Sequence, residues 1–139
     1  MDGTVRVTKY GGTRGAMATR ILLVDDTPAI RRALRVCIET ESDWEVCGEA
    51  ENGKVAVEMV RTLQPDVVLL DLSMPVMNGL EAARRIVAIA PRIPILMFTL
   101  HAYPELVEDA RNLGIRDVIS KSEGVGSHVL HAIRSALAA

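Results

Sequence analysis

From residue 20 onward, short apolar runs alternate with longer stretches in which apolar residues recur every three or four positions. A short apolar run bounded by turn formers fits a strand buried on both faces, and the longer period fits a helix lying against it. The runs at 21–24, 44–50, 67–70, 93–98 and 118–120 are read as strands. The first helical stripe is Ile30, Ala33, Leu34, Cys37 and Ile38, and the second is Ala56, Met59, Val60 and Leu63. The third is Leu80, Ala83, Ile86, Val87 and Ala90, and the fifth is Val129, Leu130, Ile133, Ala136 and Leu137. The fourth, Leu106, Ala110 and Leu113, is the narrowest, and its helix is expected to be the most mobile. Strand and helix in alternation predict an α/β chain of βαβ units, (βα)5, on a parallel sheet.

The punctuation agrees. Thr27 before Pro28 reads as an N-cap followed by proline at the first helical position. Asn52 and Asn78, each followed by glycine, suit turns that cap the next helix. Pro65, Pro91 and Pro94 fall between elements, where a missing N–H does little harm. Residues 1–18 lack any hydrophobic period and contain Gly3, Gly11, Gly12 and Gly15. They read as a flexible extension, with Met17 a candidate natural start behind cloning-derived residues and 19–139 as one domain.

Composition narrows the class. The 139 residues include four aromatics, Tyr10, Trp44, Phe98 and Tyr103, so the core is aliphatic. Residues 1–20 hold four basic side chains against one acidic, leaving the remainder at net −5. A mildly acidic domain is a poor ligand for a nucleic-acid backbone, and no direct nucleic-acid binding is expected. Cys37 lies on a helical stripe and Cys47 in a strand, as buried reduced thiols would; no CxxC or Cys/His cluster points to a metal. No apolar run approaches the ~20 residues that span a bilayer, so the expected location is the cytoplasm, away from membranes.

Right-handed crossovers place the C-terminal ends of all parallel strands along one edge, where open α/β sheets bind ligands. What ends each strand is therefore informative. Strand one runs into Asp25 and Asp26, strand three into Asp71, strand four into Thr99 and strand five into Lys121. Three carboxylates this close repel one another unless a cation joins them, and an all-oxygen set suits Mg²⁺. An aspartate can also act as a nucleophile towards phosphorus, with Thr99 and Lys121 as donor and cation for the phosphoryl oxygens. Each piece alone has a plainer reading. A strand-end Asp commonly forms a turn, Thr99 alone would be a local cap, and Lys121 alone a solvated loop residue. His101, His128 and His131 lack ligand spacing, and Arg31, Arg32 and Arg35 read as the wet face of the first helix. Docking of a partner on those arginines is the minority reading.

Over roughly residues 20–138 these segments resemble the receiver domains of two-component response regulators. The resemblance is carried by Ile-Leu-Leu-Val-Asp-Asp (21–26), Asp-Val-Val-Leu-Leu-Asp-Leu-Ser-Met-Pro-Val-Met-Asn-Gly (66–79), Thr99 and Lys121. Gly-Glu-Ala-Glu-Asn-Gly (48–53) is similar to the subfamily that usually continues into a helix-turn-helix DNA-binding domain, a continuation absent here. The resemblance implies a flavodoxin-like, doubly wound sheet of strand order 2-1-3-4-5. It implies phosphoryl transfer from a histidine kinase or phosphotransfer protein to Asp71. Asp26 and Asp71 would hold Mg²⁺ directly, Asp25 through water, and the Ser73 carbonyl would complete the set. Thr99 and Lys121 would bind the phosphoryl oxygens and pass the signal to the face of helix four, strand five and helix five, towards a downstream effector. Homodimerisation through helix five and its neighbours is a further expectation.

Three positions depart from that pattern. Val118 stands where many members carry a switch aromatic, so ring rotation there cannot be the readout. Ser122 follows Lys121 where many have a cis-proline; a cis bond before serine costs about 3 kcal/mol, so Lys121–Ser122 is expected trans. Leu100 replaces a small residue after Thr99 and is expected to restrict access to the phosphoryl site and slow its hydrolysis. Rival functions fit less well. An aspartate-nucleophile phosphohydrolase needs a second Asp two residues on, where Ser73 stands. An FMN module needs hydroxyls and free N–H groups where Asp25 and Asp26 would repel phosphate. A degenerate receiver acting only as a protein-interaction scaffold is the remaining alternative.

Overall fold

The computed structural model describes residues 18–138, together with the backbone of two short strands, Arg6–Val7 and Thr13–Arg14. Those strands form an antiparallel ladder pairing Arg6 with Arg14 and Val7 with Thr13; the rest of the expected N-terminal extension, Met17 included, lies outside the described residues. The main chain then runs β1 (Thr19–Val24), α1 (Pro28–Ile38), β2 (Trp44–Ala50), α2 (Gly53–Leu63), β3 (Val67–Leu70) and α3 (Gly79–Ile89). It continues as β4 (Ile95–Thr99), α4 (Pro104–Leu113), β5 (Asp117–Ser120) and α5 (Ser127–Ala138). The five strands are parallel in the order 2-1-3-4-5, the doubly wound flavodoxin-like arrangement that the resemblance implies.

Alternation along the central strands feeds two cores. Leu22, Val24, Val68, Leu70, Ile95 and Met97 face α2, α3 and α4, where Ala56, Val60, Ala82, Ile86 and Leu106 meet them. Ile21, Leu23, Val67, Leu69, Leu96 and Phe98 face α1 and α5, where Leu34, Ile38, Val129 and Ile133 meet them. Burial on both faces is why these strands read as unbroken apolar runs. β2 departs from simple alternation. Its pairing with β1 slips by one residue, so that Ile21 faces Val46 while Leu22 faces Gly48, and Cys47 is the extra residue of a bulge. Trp44 and Val46 therefore face α1 and α5, whereas Ala50 faces α2.

Asn52 and Asn78 cap as expected, each side chain accepting from a backbone N–H three residues on, at Val55 and Glu81. Four expectations need correction. β4 begins at Ile95 rather than 93, because Pro94 has no N–H to give the ladder. The stripes are rotated: α5 buries Ala132 while Leu137 is exposed, α3 buries Ala82, and Ala33 on α1 faces water. Sequence reports which residues are apolar, but the contact line depends on how the helix rolls on the sheet. Arg31 and Arg35 are half-buried partners of Glu49, and only Arg32 remains on the wet face. Both cysteines are free but half-buried, and burial pushes both thiol pKa values up. No cis peptide bond occurs among the described residues, so Lys121–Ser122 is trans. None of their helices is long and apolar enough to cross a membrane.

Candidate functional site

The C-terminal ends of β1, β3, β4 and β5 are neighbours, and their last residues build one cup. Asp25 prolongs β1 by one residue, its N–H donating to the Ala50 carbonyl at 3.0 Å. Asp71 prolongs β3 likewise, bonded to the Val24 carbonyl at 2.9 Å, which brings the two aspartates side by side. Thr99 ends β4 opposite Ser120 of β5, and Lys121 opens a short 3₁₀ turn, Lys121–Glu123, that follows. Asp25 is 2% exposed, Asp71 6% and Thr99 0%. These three are the buried polar residues of the described chain. Asp26 sits beside them at the rim and is exposed.

One carboxylate oxygen from each of Asp25, Asp26 and Asp71 lies within 4.8 Å of the others. Lys121 balances part of their charge: Nζ lies 2.6 Å from Asp25 Oδ2 and 3.3 Å from Asp71 Oδ2. The ammonium also stands over the Phe98 ring, 5.7 Å from its centroid, a cation–π contact. The remaining carboxylate oxygens accept from backbone amides: Asp25 Oδ1 from Thr27 N–H at 2.9 Å, Asp71 Oδ1 from Leu72 N–H at 2.8 Å. Thr27 holds the N-cap position of α1 as expected, but its side chain makes no cap bond; its carbonyl oxygen accepts from Ile30 N–H at 3.1 Å and Arg31 N–H at 3.2 Å. Burial and the neighbouring Asp25 charge raise the Asp71 pKa, against the pull of Lys121 and the Leu72 amide.

The loop from Asp71 to α3 is tightly drawn. A Cβ on Gly79 would lie 2.1 Å from the Asp71 carbonyl oxygen, so only glycine lets α3 start where it does. Val76 has φ +67°, and Met77 N–H donates across it to the Pro75 carbonyl at 2.7 Å, a γ-turn carried by a β-branched residue. Ser73, in the same loop, has an exposed side chain. Thr99 Oγ1 accepts from His101 N–H at 3.1 Å, so here its hydroxyl oxygen shapes the loop as a local cap would. Leu100 is 67% exposed at the rim, and Val118 is half-buried against the core under α2, α3 and α4.

Of the residues expected here, Asp25, Asp26, Asp71 and Lys121 are brought together, while Thr99 stands at the end of β4 with its hydroxyl on His101 N–H; three contributors were not foreseen. They are the Phe98 ring beneath Lys121, the bond from Arg31 to the Asp25 carbonyl at 2.5 Å, and the left-handed Val76. Only the glycine after Asn78 carried a sequence signal for the tight loop, and it reads equally as an ordinary helix start. Chemically the cup can take a divalent cation between its carboxylates, with all-oxygen donors and room for water at the Asp26 rim.

Residues 21–133 match the family model of the response regulator receiver domain, and the chain belongs to that family. It is 39% identical over 105 residues to chemotaxis protein CheY of Thermotoga maritima, covering 76% of this chain and 87% of that protein. A protein-glutamate methylesterase/protein-glutamine glutaminase of Methanococcoides burtonii is 42% identical over 108 residues, covering 76% of this chain. The chain spans only 30% of that relative's length. The response regulator domain of Thermotoga maritima CheB superposes with a TM-score of 0.81 at 31% identity, covering 88% of this chain and 98% of that one. The fold and family are those of a phosphorylation-dependent two-component switch.

Proposed function

We propose that Asp71 is the phosphoacceptor of this receiver, with Mg²⁺ held by Asp26 and Asp71, by Asp25 through water, and by the Ser73 carbonyl. The observation that carries the reading is the buried pair of aspartates facing Lys121 Nζ at 2.6 and 3.3 Å, with Asp26 at the open rim. An Asp71 oxygen attacks phosphorus of a phosphohistidine on a histidine kinase or phosphotransfer protein. An O–P bond forms as the N–P bond breaks, and the departing imidazole takes its proton from water. The cation neutralises charge on the phosphoryl oxygens when bound. Lys121 pairs with one of those oxygens and leaves Asp25, while Thr99 turns its hydroxyl to another and releases His101 N–H. The β4–α4 loop, with Leu100 and His101, is then the first segment to sense phosphorylation. The chain acts as a signalling module, and its output passes to an effector protein or domain rather than to a metabolic product.

The test is intact-mass measurement after incubation with Mg²⁺ and acetyl phosphate. Wild type should gain one phosphoryl group and Asp71→Ala none. Labelling of both would move the acceptor elsewhere, and labelling of neither, with Mg²⁺ bound, would favour the scaffold role.

A further inference from the structure

Arg31 lies within the first turns of α1, and its side chain is only 16% exposed. Nη1 donates to the Asp25 carbonyl oxygen at 2.5 Å, and Nε donates to Glu49 Oε1 at 2.9 Å. Glu49 Oε2 accepts in turn from Arg35 Nε at 2.8 Å and Nη2 at 2.5 Å. Burial alone would raise the Glu49 pKa, but its bonds to Arg35 and Arg31 outweigh it and hold the carboxyl low, so Glu49 stays charged. A guanidinium is a rigid planar fork: once Glu49 takes one edge, the direction of the other is set. Glu49 reaches these arginines because of the β2 bulge. Without the extra residue at Cys47 its side chain would share a face with Cys47 and point towards α2.

The contact matters because of what it holds. The Asp25 N–H is bonded to Ala50, Oδ1 to Thr27 and Oδ2 to Lys121, which leaves the carbonyl as the last polar handle on the residue. That carbonyl belongs to the peptide joining Asp25 to Asp26, and rotation of this plane swings Asp26. Among the described residues no hydrogen bond or ion pair holds the Asp26 carboxylate itself.

We propose that Arg31, aimed by Glu49, is a positioning residue that locks the Asp25–Asp26 peptide so that Asp26 faces Asp71 across the cation site. The inference rests on the reading of that cup as a Mg²⁺ site, and its sign separates it from simple electrostatics. A positive charge near a dication weakens binding, so by Coulomb's law alone its removal tightens Mg²⁺. A lost positioning contact loosens it.

The experiment is Mg²⁺ titration by calorimetry on the full chain, wild type against Arg31→Met, Arg35→Met and Glu49→Gln. Arg31→Met should weaken Mg²⁺ about tenfold, the worth of one charge-assisted hydrogen bond. Arg35→Met removes the same charge from the same carboxylate but spares the Asp25 contact, and should change affinity by less than about threefold. Glu49→Gln keeps the shape and should fall between the two. Equal or tighter binding by a folded Arg31→Met overturns the proposal. Nitrogen-15 relaxation of the metal-free protein supplies a second, independent readout. The Asp26 amide should go from ordered to mobile in Arg31→Met or, should that variant fail to fold, in Glu49→Gln; unchanged order would overturn the inference. A wild type that binds no Mg²⁺ would instead sink the metal-site reading, while the relaxation data still judge the role of Arg31.

Discussion

Replacing Lys121 by methionine tests the charge balance of the cup with two readouts of opposite sign. The ammonium is the cation nearest two buried carboxylates, at 2.6 Å from Asp25 and 3.3 Å from Asp71. Methionine keeps a flexible apolar chain of similar length and removes the charge, and with it the cation–π contact to Phe98. Taking one partner from a buried ion pair costs about 3–5 kcal/mol. The site can shed part of this by protonating Asp71, whose pKa burial and Asp25 already push up, so the lower figure of about 3 kcal/mol applies. With about 2.1 cal/mol/K of unfolding entropy per residue over ~120 ordered residues, each kcal/mol is worth roughly 4 °C, and the metal-free Tm should fall about 12 °C. Mg²⁺ acts the other way. In wild type an entering cation must compete with Lys121 for Asp25 and Asp71; in the variant it does not. At ten times its Kd the cation returns about 1.4 kcal/mol, and that Kd should be lower in Lys121→Met. Melting curves in EDTA and across a Mg²⁺ series read both effects. A metal-free Tm within about 2 °C of wild type, or a smaller Mg²⁺ shift, would refute the view that Lys121 stands in for the cation.

Gly79→Ala should lose several kcal/mol, about 3 by the usual cost of overpacking, and most acetyl-phosphate labelling. The reason is that its Cβ would be driven to 2.1 Å from the Asp71 carbonyl oxygen; wild-type melting and labelling together would show that the loop yields freely. Val76 is 78% exposed at φ +67°, so Val76→Asn should relieve strain without losing burial and gain about 1 kcal/mol in urea unfolding. A loss instead would mean the valine side chain holds the loop. Asp71→Asn should raise the metal-free Tm at neutral pH. A carboxyl whose pKa is higher folded than unfolded costs stability above its folded pKa, and the cost fades as pH falls through that value towards the ordinary carboxylate range. The variant's advantage should therefore shrink in acid, and an advantage constant with pH would contradict the charge explanation.

Much of this molecule was written locally. Short aliphatic runs bounded by turn formers read as strands covered on both sides, and the helical periods between them point to parallel crossovers. Once the strands are parallel, Asp25, Asp71, Thr99 and Lys121 must meet, because each stands at the same end of its own strand. The asparagine caps were equally local, since the accepting oxygen and its amide lie three residues apart. What escaped the sequence depends on rotation and distance between segments remote in the chain. The roll of α5 chose Ala132 over Leu137 for the core, and only the folded chain shows Lys121 Nζ nearer Asp25, at 2.6 Å, than Asp71, at 3.3 Å. The slip at Cys47 turned Glu49 towards α1, against the parity of its own strand. Composition and period set which elements form and which ends they share; the fit between their surfaces decides which atom of each side chain meets which, and only the folded chain contains that fit.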